Sequence, residues 1–153
     1  MTDTVQVDRT IAAPPEKVWS LISDVTRMGE WSPETTSCEW VGGATGPAVG
    51  AKFKGRNTVG NKSWTTTCVV TDSTPGQAFG FLVKVGPLDI ARWLFLVEPA
   101  DGGCRVEERW TDRRSGLGKV LGRLATGVAD RAEHNRETME TTLERLAAAA
   151  GSG

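Results

Sequence analysis

The chain has 153 residues, of which 39% are apolar and 24% charged, with 18 Lys plus Arg against 19 Asp plus Glu and a formal net charge of -1. This composition describes a globular chain that can bury a full core, not a disordered one. The near-balance of charge excludes a general electrostatic pull toward nucleic acid or an anionic membrane, although a local basic patch remains compatible with it.

The opening MTDTVQVDRTIAAPP is polar and alternating. It has no apolar core of signal-peptide length, and no window nears the roughly 20 apolar residues that span a bilayer, so a cytoplasmic protein is expected. Thr4–Ala12 reads as a first strand. Pro14 and Pro15 stop it and suit a helix's first turn, where the missing N–H has no partner to lose. Val18, Trp19, Leu21, Ile22 and Val25 continue as an amphipathic helix, and a second short helical turn over Thr26–Glu30 ends at Trp31-Ser32-Pro33. Six alternating runs follow: Thr35–Val41, Ala51–Val59, Ser63–Thr71, Ala78–Val85, Ile90–Glu98 and Cys104–Asp112. Turn signals separate them, the pattern of an antiparallel meander. The loop GGATGPAVG opens no helix and reads as a mobile segment at a pocket mouth rather than a phosphate cradle. Leu117–Ala149 is one long helical pattern, with Leu117, Leu121, Leu124, Val128, Met139 and Leu146 on one stripe. Gly122 and Gly127 lower its helix propensity, which allows a break or bend near Gly127, and the tail AAAAGSG is expected to fray.

The order of elements predicts an α+β fold over residues 1–150, with no linker to a second domain. A curved antiparallel sheet of about seven strands wraps around a long C-terminal helix, and two short helices follow strand 1. A sheet with one apolar face needs a cover, and only the last helix is long enough.

Period-two sorting turns some polar residues inward. In Cys104–Asp112, the set Arg105, Glu107 and Arg109 faces water, which places Glu108 between Val106 and Trp110. In Ala51–Val59 the lysines and Arg56 face out, leaving Phe53, Gly55 and Asn57 inward. Trp64, Thr66, Cys68 and Val70 form one inward set. Phe79, Phe81 and Val83 form another, and Ala91, Trp93, Phe95 and Val97 a third. On the last helix Arg131, Asn135 and Thr142 lie within about 60° of the stripe centre, whereas His134 lies about 120° away, on the flank. Buried polar groups need partners, so Glu108, Asn57, Arg131 and Asn135 form either a structural network, for instance a Glu108–Arg131 pair, or the polar points of a ligand pocket. Trp31, Trp40, Trp64, Trp93 and Trp110 either line such a cavity or fill the core; Trp19 is core on both readings.

Cys38, Cys68 and Cys104 form no CxxC and have no His at ligand spacing. They read as small buried hydrophobes, with no metal site and no cofactor expected. No nucleophile elbow, P-loop, dinucleotide fingerprint or His-Glu-x-x-His occurs. Tyr is absent and His134 is the only histidine.

The stretch AAPPEKVWSLISDVTRMGEWSP resembles the opening of the polyketide cyclase/dehydrase and lipid-transfer superfamily, related to the START and Bet v 1 proteins (SRPBCC). The matching positions are Ala13-Pro14, Val18-Trp19, Asp24 and Trp31-Ser32-Pro33. GGATGPAVGAKFKGRN and DRAEHNRETMETTLERL are also similar to bacterial members of the group. The resemblance implies a helix-grip fold with a cavity between sheet and C-terminal helix, and it leaves function open, because one fold hosts many activities. The first expectation is a binder of a small hydrophobic molecule such as a lipid, polyketide or isoprenoid. Its contacts would be Trp31, Phe53, Asn57, Trp64, Thr66, Phe81, Trp93, Trp110, Arg131, Asn135 and Met139. The alternatives are a cyclase/dehydratase-type enzyme with Glu108 as acid or base, and a protein-interaction module without ligand. The partner expected is a small hydrophobic molecule, with no nucleic acid, no stable membrane insertion, and a homodimer possible.

Overall fold

Alternation along the strands becomes burial on one face of an antiparallel sheet. The computed structural model describes residues 4–128 and 130–151. Its strands are β1 (Thr4–Ile11), β2 (Thr35–Val41), β3 (Lys52–Val59), β4 (Lys62–Thr74), β5 (Ala78–Val85), β6 (Leu88–Ala100) and β7 (Gly103–Asp112). They pair in the order β1-β7-β6-β5-β4-β3-β2. The later six form a meander, and β1 adds to its far end, with Thr4 opposite Thr111 and Ile11 opposite Cys104. The register shifts between Val70 and Asp72 in β4 and between Val83 and Lys84 in β5. Such irregularities bend the strands and support curvature. The concave face buries the expected sets: Phe53 and Asn57, then Thr66, Cys68 and Val70, then Phe79, Phe81 and Val83, then Ala91, Phe95 and Val97.

Helix α1 (Pro15–Ser23) starts without a side-chain cap. Pro14 is extended there and Pro15 takes the first turn. Its Val18 and Ile22 are buried, and the Trp19 indole donates to the Ala78 carbonyl at 2.7 Å. A 3₁₀ segment, Val25–Glu30, stands where the second short helix was expected. Asp24 Oδ1 accepts from the Thr26 amide at 3.2 Å and its hydroxyl at 2.5 Å, which fixes the entry. Gly29 lets this segment touch β2, because a methyl there would run into the Thr36 carbonyl oxygen.

The expected single helix is two: α2 (Gly116–Thr126) and α3 (Arg131–Gly151). Gly127 makes the break in the left-handed region, φ 74°, and its amide donates back to the Arg123 carbonyl. The left-handed turn at Gly127 interrupts the helical backbone, so one 100° register does not run through both. Val128, Met139 and Leu146 are buried, whereas Leu117, Leu121 and Leu124 are exposed. Ala129, part of the expected run, lies outside the described residues. The tail expected to fray is helical through Gly151, and Ser152 and Gly153 lie outside the described residues. Helix α3 packs on β1, β7 and α1, while α2 reaches β4. No helix among the described residues is long and apolar enough to cross a membrane.

Glu107 departs from the expected solvent-facing set. It is 7% exposed, because Arg105, Arg109 and Gln6 fold over it on the outer face. Long cationic side chains can cover a neighbour while keeping their own heads in water.

The Gly29 contact is testable. Gly29→Ala forces backbone apart and should cost about 1–3 kcal/mol in denaturant unfolding, the usual range for overpacking. Gly46→Ala, whose added methyl meets nothing within 4 Å, should change stability by less than about 0.5 kcal/mol.

Candidate functional site: a cavity under the curved sheet

Between the concave face, the 3₁₀ segment, α2 and α3 lies a cavity of about 340 Å³. Its walls are mainly apolar and aromatic. Trp31, Phe53, Trp64, Phe81, Trp93, Phe95 and Trp110 line it. Phe53 and Phe81 meet edge to face at 5.1 Å, the geometry that aromatic quadrupoles favour.

Polar groups enter this wall at a few points. Glu108 sits on β7 opposite Val7 and Phe95, between Val106 and Trp110. It is 3% exposed, it lines the cavity, and its Oε1 has no hydrogen-bond partner among the described residues. Burial without a partner pushes its carboxyl well above the ordinary carboxylate range. The Glu108–Arg131 pair considered above does not form. The Arg131 guanidinium donates instead to Glu34 Oε1 at 2.6 Å and to Asn135 Oδ1 at 3.4 Å, and lies over the Trp64 ring at 5.8 Å. His134 Nε2 hydrogen-bonds the same Glu34 oxygen at 3.0 Å, so the flank position found it a role at the start of α3.

Asn57 is satisfied across three strands. Its Oδ1 accepts from the Thr35 hydroxyl at 2.9 Å, and its amide nitrogen donates to Thr66 Oγ1 at 3.3 Å. At the α2 end, Arg114 binds Asp112 through its amide, Nε and Nη2 at 2.9–3.0 Å. Burial works to raise the Asp112 carboxyl, but the Arg114 hydrogen bonds and charge outweigh it and hold the group below its usual range. The Arg114 side chain lies against Gly122 of α2.

Of the residues anticipated from sequence, Trp31, Phe53, Asn57, Trp64, Thr66, Phe81, Trp93, Glu108, Trp110, Arg131 and Asn135 all lie on the cavity wall. Met139 does not: it is 1% exposed within the core. Trp40 also stays off the wall and packs its edge on Phe53 at 5.6 Å. The loop GGATGPAVG, expected at the mouth, contributes no lining residue. It lies against β4, where the Gly50 amide donates to Val70 and the Ser73 hydroxyl to Pro47. Sequence reasoning missed Glu34 and Arg114. Both lie just outside strands, where alternation carries no signal. Glu34 directly follows the Trp31-Ser32-Pro33 turn, and Ser32 Oγ accepts from the Thr35 amide there.

Two of the three cysteines, Cys38 and Cys68, lie on the cavity wall. Cys38 is half-buried and burial pushes it up to about 12; Cys68 is pushed further, by burial and by Cys38 beside it. Cys104 is buried, and all three are free. Among the described residues no group of three His, Cys, Asp or Glu could hold a metal ion.

The sequence profile described as polyketide cyclase / dehydrase and lipid transport matches residues 2–151. The chain belongs to this family. A solution structure of the Polyketide_cyc-like protein Cgl2372 from Corynebacterium glutamicum is 32% identical, with 99% of this chain and 85% of that one covered and a TM-score of 0.55. Ara h 8.0201 matches over 100% of both chains at 15% identity and a TM-score of 0.73. The di-domain ARO/CYC StfQ from the steffimycin biosynthetic pathway matches at 15% identity and a TM-score of 0.76, covering 99% of this chain and 51% of that one. At such identities the last two establish the fold, the Bet v 1-like helix-grip arrangement. Curated proteins give no match.

In this family member, Glu108 ties stability to pH. Unfolded, the side chain titrates in the ordinary range; folded, it titrates higher. Its contribution is therefore full below the ordinary range and is lost as pH rises toward the folded value. Glu108→Gln removes that loss. The variant should melt within about 1 kcal/mol of the parent near pH 4 and gain on it progressively toward about pH 8. A gap that stays constant with pH would mean that Glu108 titrates ordinarily.

Proposed function

We propose that the protein binds a small, largely hydrophobic molecule, lipid-, polyketide- or isoprenoid-like, in the cavity between sheet and C-terminal helices. One domain over residues 1–150 acts in the cytoplasm in this reading, with no nucleic-acid partner and with homodimers allowed. The observation that carries it is a cavity of about 340 Å³ walled by aromatic rings, with a few polar side chains converging on it. Sites for small molecules have this size and composition. The family's description supports hydrophobic ligands in general terms, and StfQ, similar in fold, is named for a biosynthetic pathway. The ligand contacts are the wall residues named above, without Met139.

One observation favours a second reading, an enzyme of the cyclase/dehydratase type. A carboxyl that keeps its proton in an apolar site suits general acid catalysis, such as protonation of a departing hydroxyl. Glu108 would carry that step with little help, since Asn57, Asn135 and Arg131 already hold protein partners. A third reading, an interaction module, has the exposed apolar side of α2 in its favour, but it calls for a filled cavity.

Titration with apolar compounds tests the binding reading. Trp31, Trp64, Trp93 and Trp110 line the wall, so an occupied cavity should give a saturable change in intrinsic fluorescence. No saturable response across a broad hydrophobic library would remove both the carrier and the enzyme. Turnover of a bound compound that Glu108→Gln abolishes, with binding retained, would favour the enzyme.

A further inference from the structure

The carboxylates and guanidinium groups on the cavity wall belong to Glu34, Glu108, Arg114 and Arg131. Each cation already has a carboxylate partner. Arg131 is paired with Glu34 at 2.6 Å, and the two side chains are only 11% and 20% exposed. Arg114 is held by Asp112 in a two-pronged pair at 2.9–3.0 Å, with side-chain exposures of 11% and 2%. Among the described residues Glu108 Oε1 has no hydrogen-bond partner, and its carboxyl is raised by burial alone. Around it are Val7, Phe95, Val106 and Trp110, none of which offers a charge.

We propose that the cavity selects an uncharged ligand whose ketone or ester oxygen accepts a hydrogen bond from the Glu108 carboxyl group, and that it discriminates against apolar molecules ending in an anion. This rests on the reading of the cavity as a ligand site. Two arguments carry it. A buried anion needs a cation of its own, and the charges of Arg131 and Arg114 are already offset by Glu34 and Asp112, so an anion that used their remaining N–H donors would leave the site with net negative charge. A protonated carboxyl offers one donor, and a buried donor left unmade costs more than one that is met. A carbonyl oxygen meets it without bringing charge. A carboxylate beside Glu108 would instead place two acids together with no counter-ion, which disfavours ionisation of both. Burial of Glu108 independently holds its proton on, in agreement with the geometry.

The test compares three probes of one chain length: dodecanoate, its methyl ester, and the corresponding methyl ketone. Binding is followed near neutral pH by tryptophan fluorescence and calorimetry. Ester and ketone should bind at least about tenfold more tightly than dodecanoate. Glu108→Gln keeps a neutral donor and should preserve that order. Glu108→Met removes the donor and should weaken ester and ketone binding by about threefold to tenfold, the range for a neutral hydrogen bond, with dodecanoate little changed. Dodecanoate binding as tightly as the ester to the unmodified protein overturns the proposal, as does unchanged ester binding in folded Glu108→Met. In both cases ligand binding itself stands. No saturable binding of any probe overturns the ligand-site reading and this inference with it.

Discussion

The width of the sheet governs the rest of the molecule. Seven strands spaced by about 4.8 Å extend roughly 29 Å from edge to edge, while a helix with its side chains is only about 10–12 Å across. One helix cannot cover that face. Helix α3 takes the β1 and β7 side, where Val5, Val7, Val106, Leu143 and Leu146 are buried together in the core. The middle strands meet the shorter helices, α1 at β5 and β6 and α2 at β4, and these leave part of the inward face uncovered. Large rings at Phe53, Phe81, Phe95 and Trp110 fill part of the gap, and the remainder is the cavity. The 3₁₀ segment closes it against β2, and α2 reaches over toward β4. Hollowness is thus a consequence of geometry, and side-chain chemistry decides what the hollow accepts.

The ion pairs on the cavity wall also hold the enclosing elements. Glu34 at the entrance to β2 and Arg131 at the start of α3 join segments 97 residues apart. Asp112 at the end of β7 fixes Arg114, whose side chain lies against α2 at Gly122. The connection containing the Gly127 break therefore runs between two partly buried electrostatic anchors. Partly buried pairs that are also hydrogen-bonded define geometry better than they add net stability. Positioning is the role that fits them here.

Much of this was legible in the sequence. Period-two alternation found the strands and an inward set on the last five, including the isolated carboxylate at 108, because side-chain direction in a strand depends on local backbone alone. What escaped depended on tertiary placement. A leucine stripe drawn through Gly127 joined two separate helices, so Leu117 and Leu124 were assigned to a core that they do not reach. The partner of Arg131 turned out to be Glu34, a residue outside any periodic element. Glu107 was assigned to solvent by alternation, yet neighbouring arginines bury it on the convex side. The glycine-rich loop has the composition of a pocket rim, but its hydrogen bonds tie it to Val70 and Ser73 of β4.

Pairing of the first strand with the last has a kinetic side. The Gln6 side chain bonds Glu107 across 101 residues of chain, and β1 has no other strand neighbour in the sheet. During synthesis the meander can begin to form in order, hairpin after hairpin, while β1 must wait for β7 to emerge. Long loop closures of this kind come late and slow folding. Until then the inward valines of β1 and the open edge of β7 are exposed to pairing with other chains. The wall that carries Glu108 is thus completed only after β7, which ends at Asp112, has emerged, so a molecule that fills the cavity can stabilise the finished fold but cannot template its early stages.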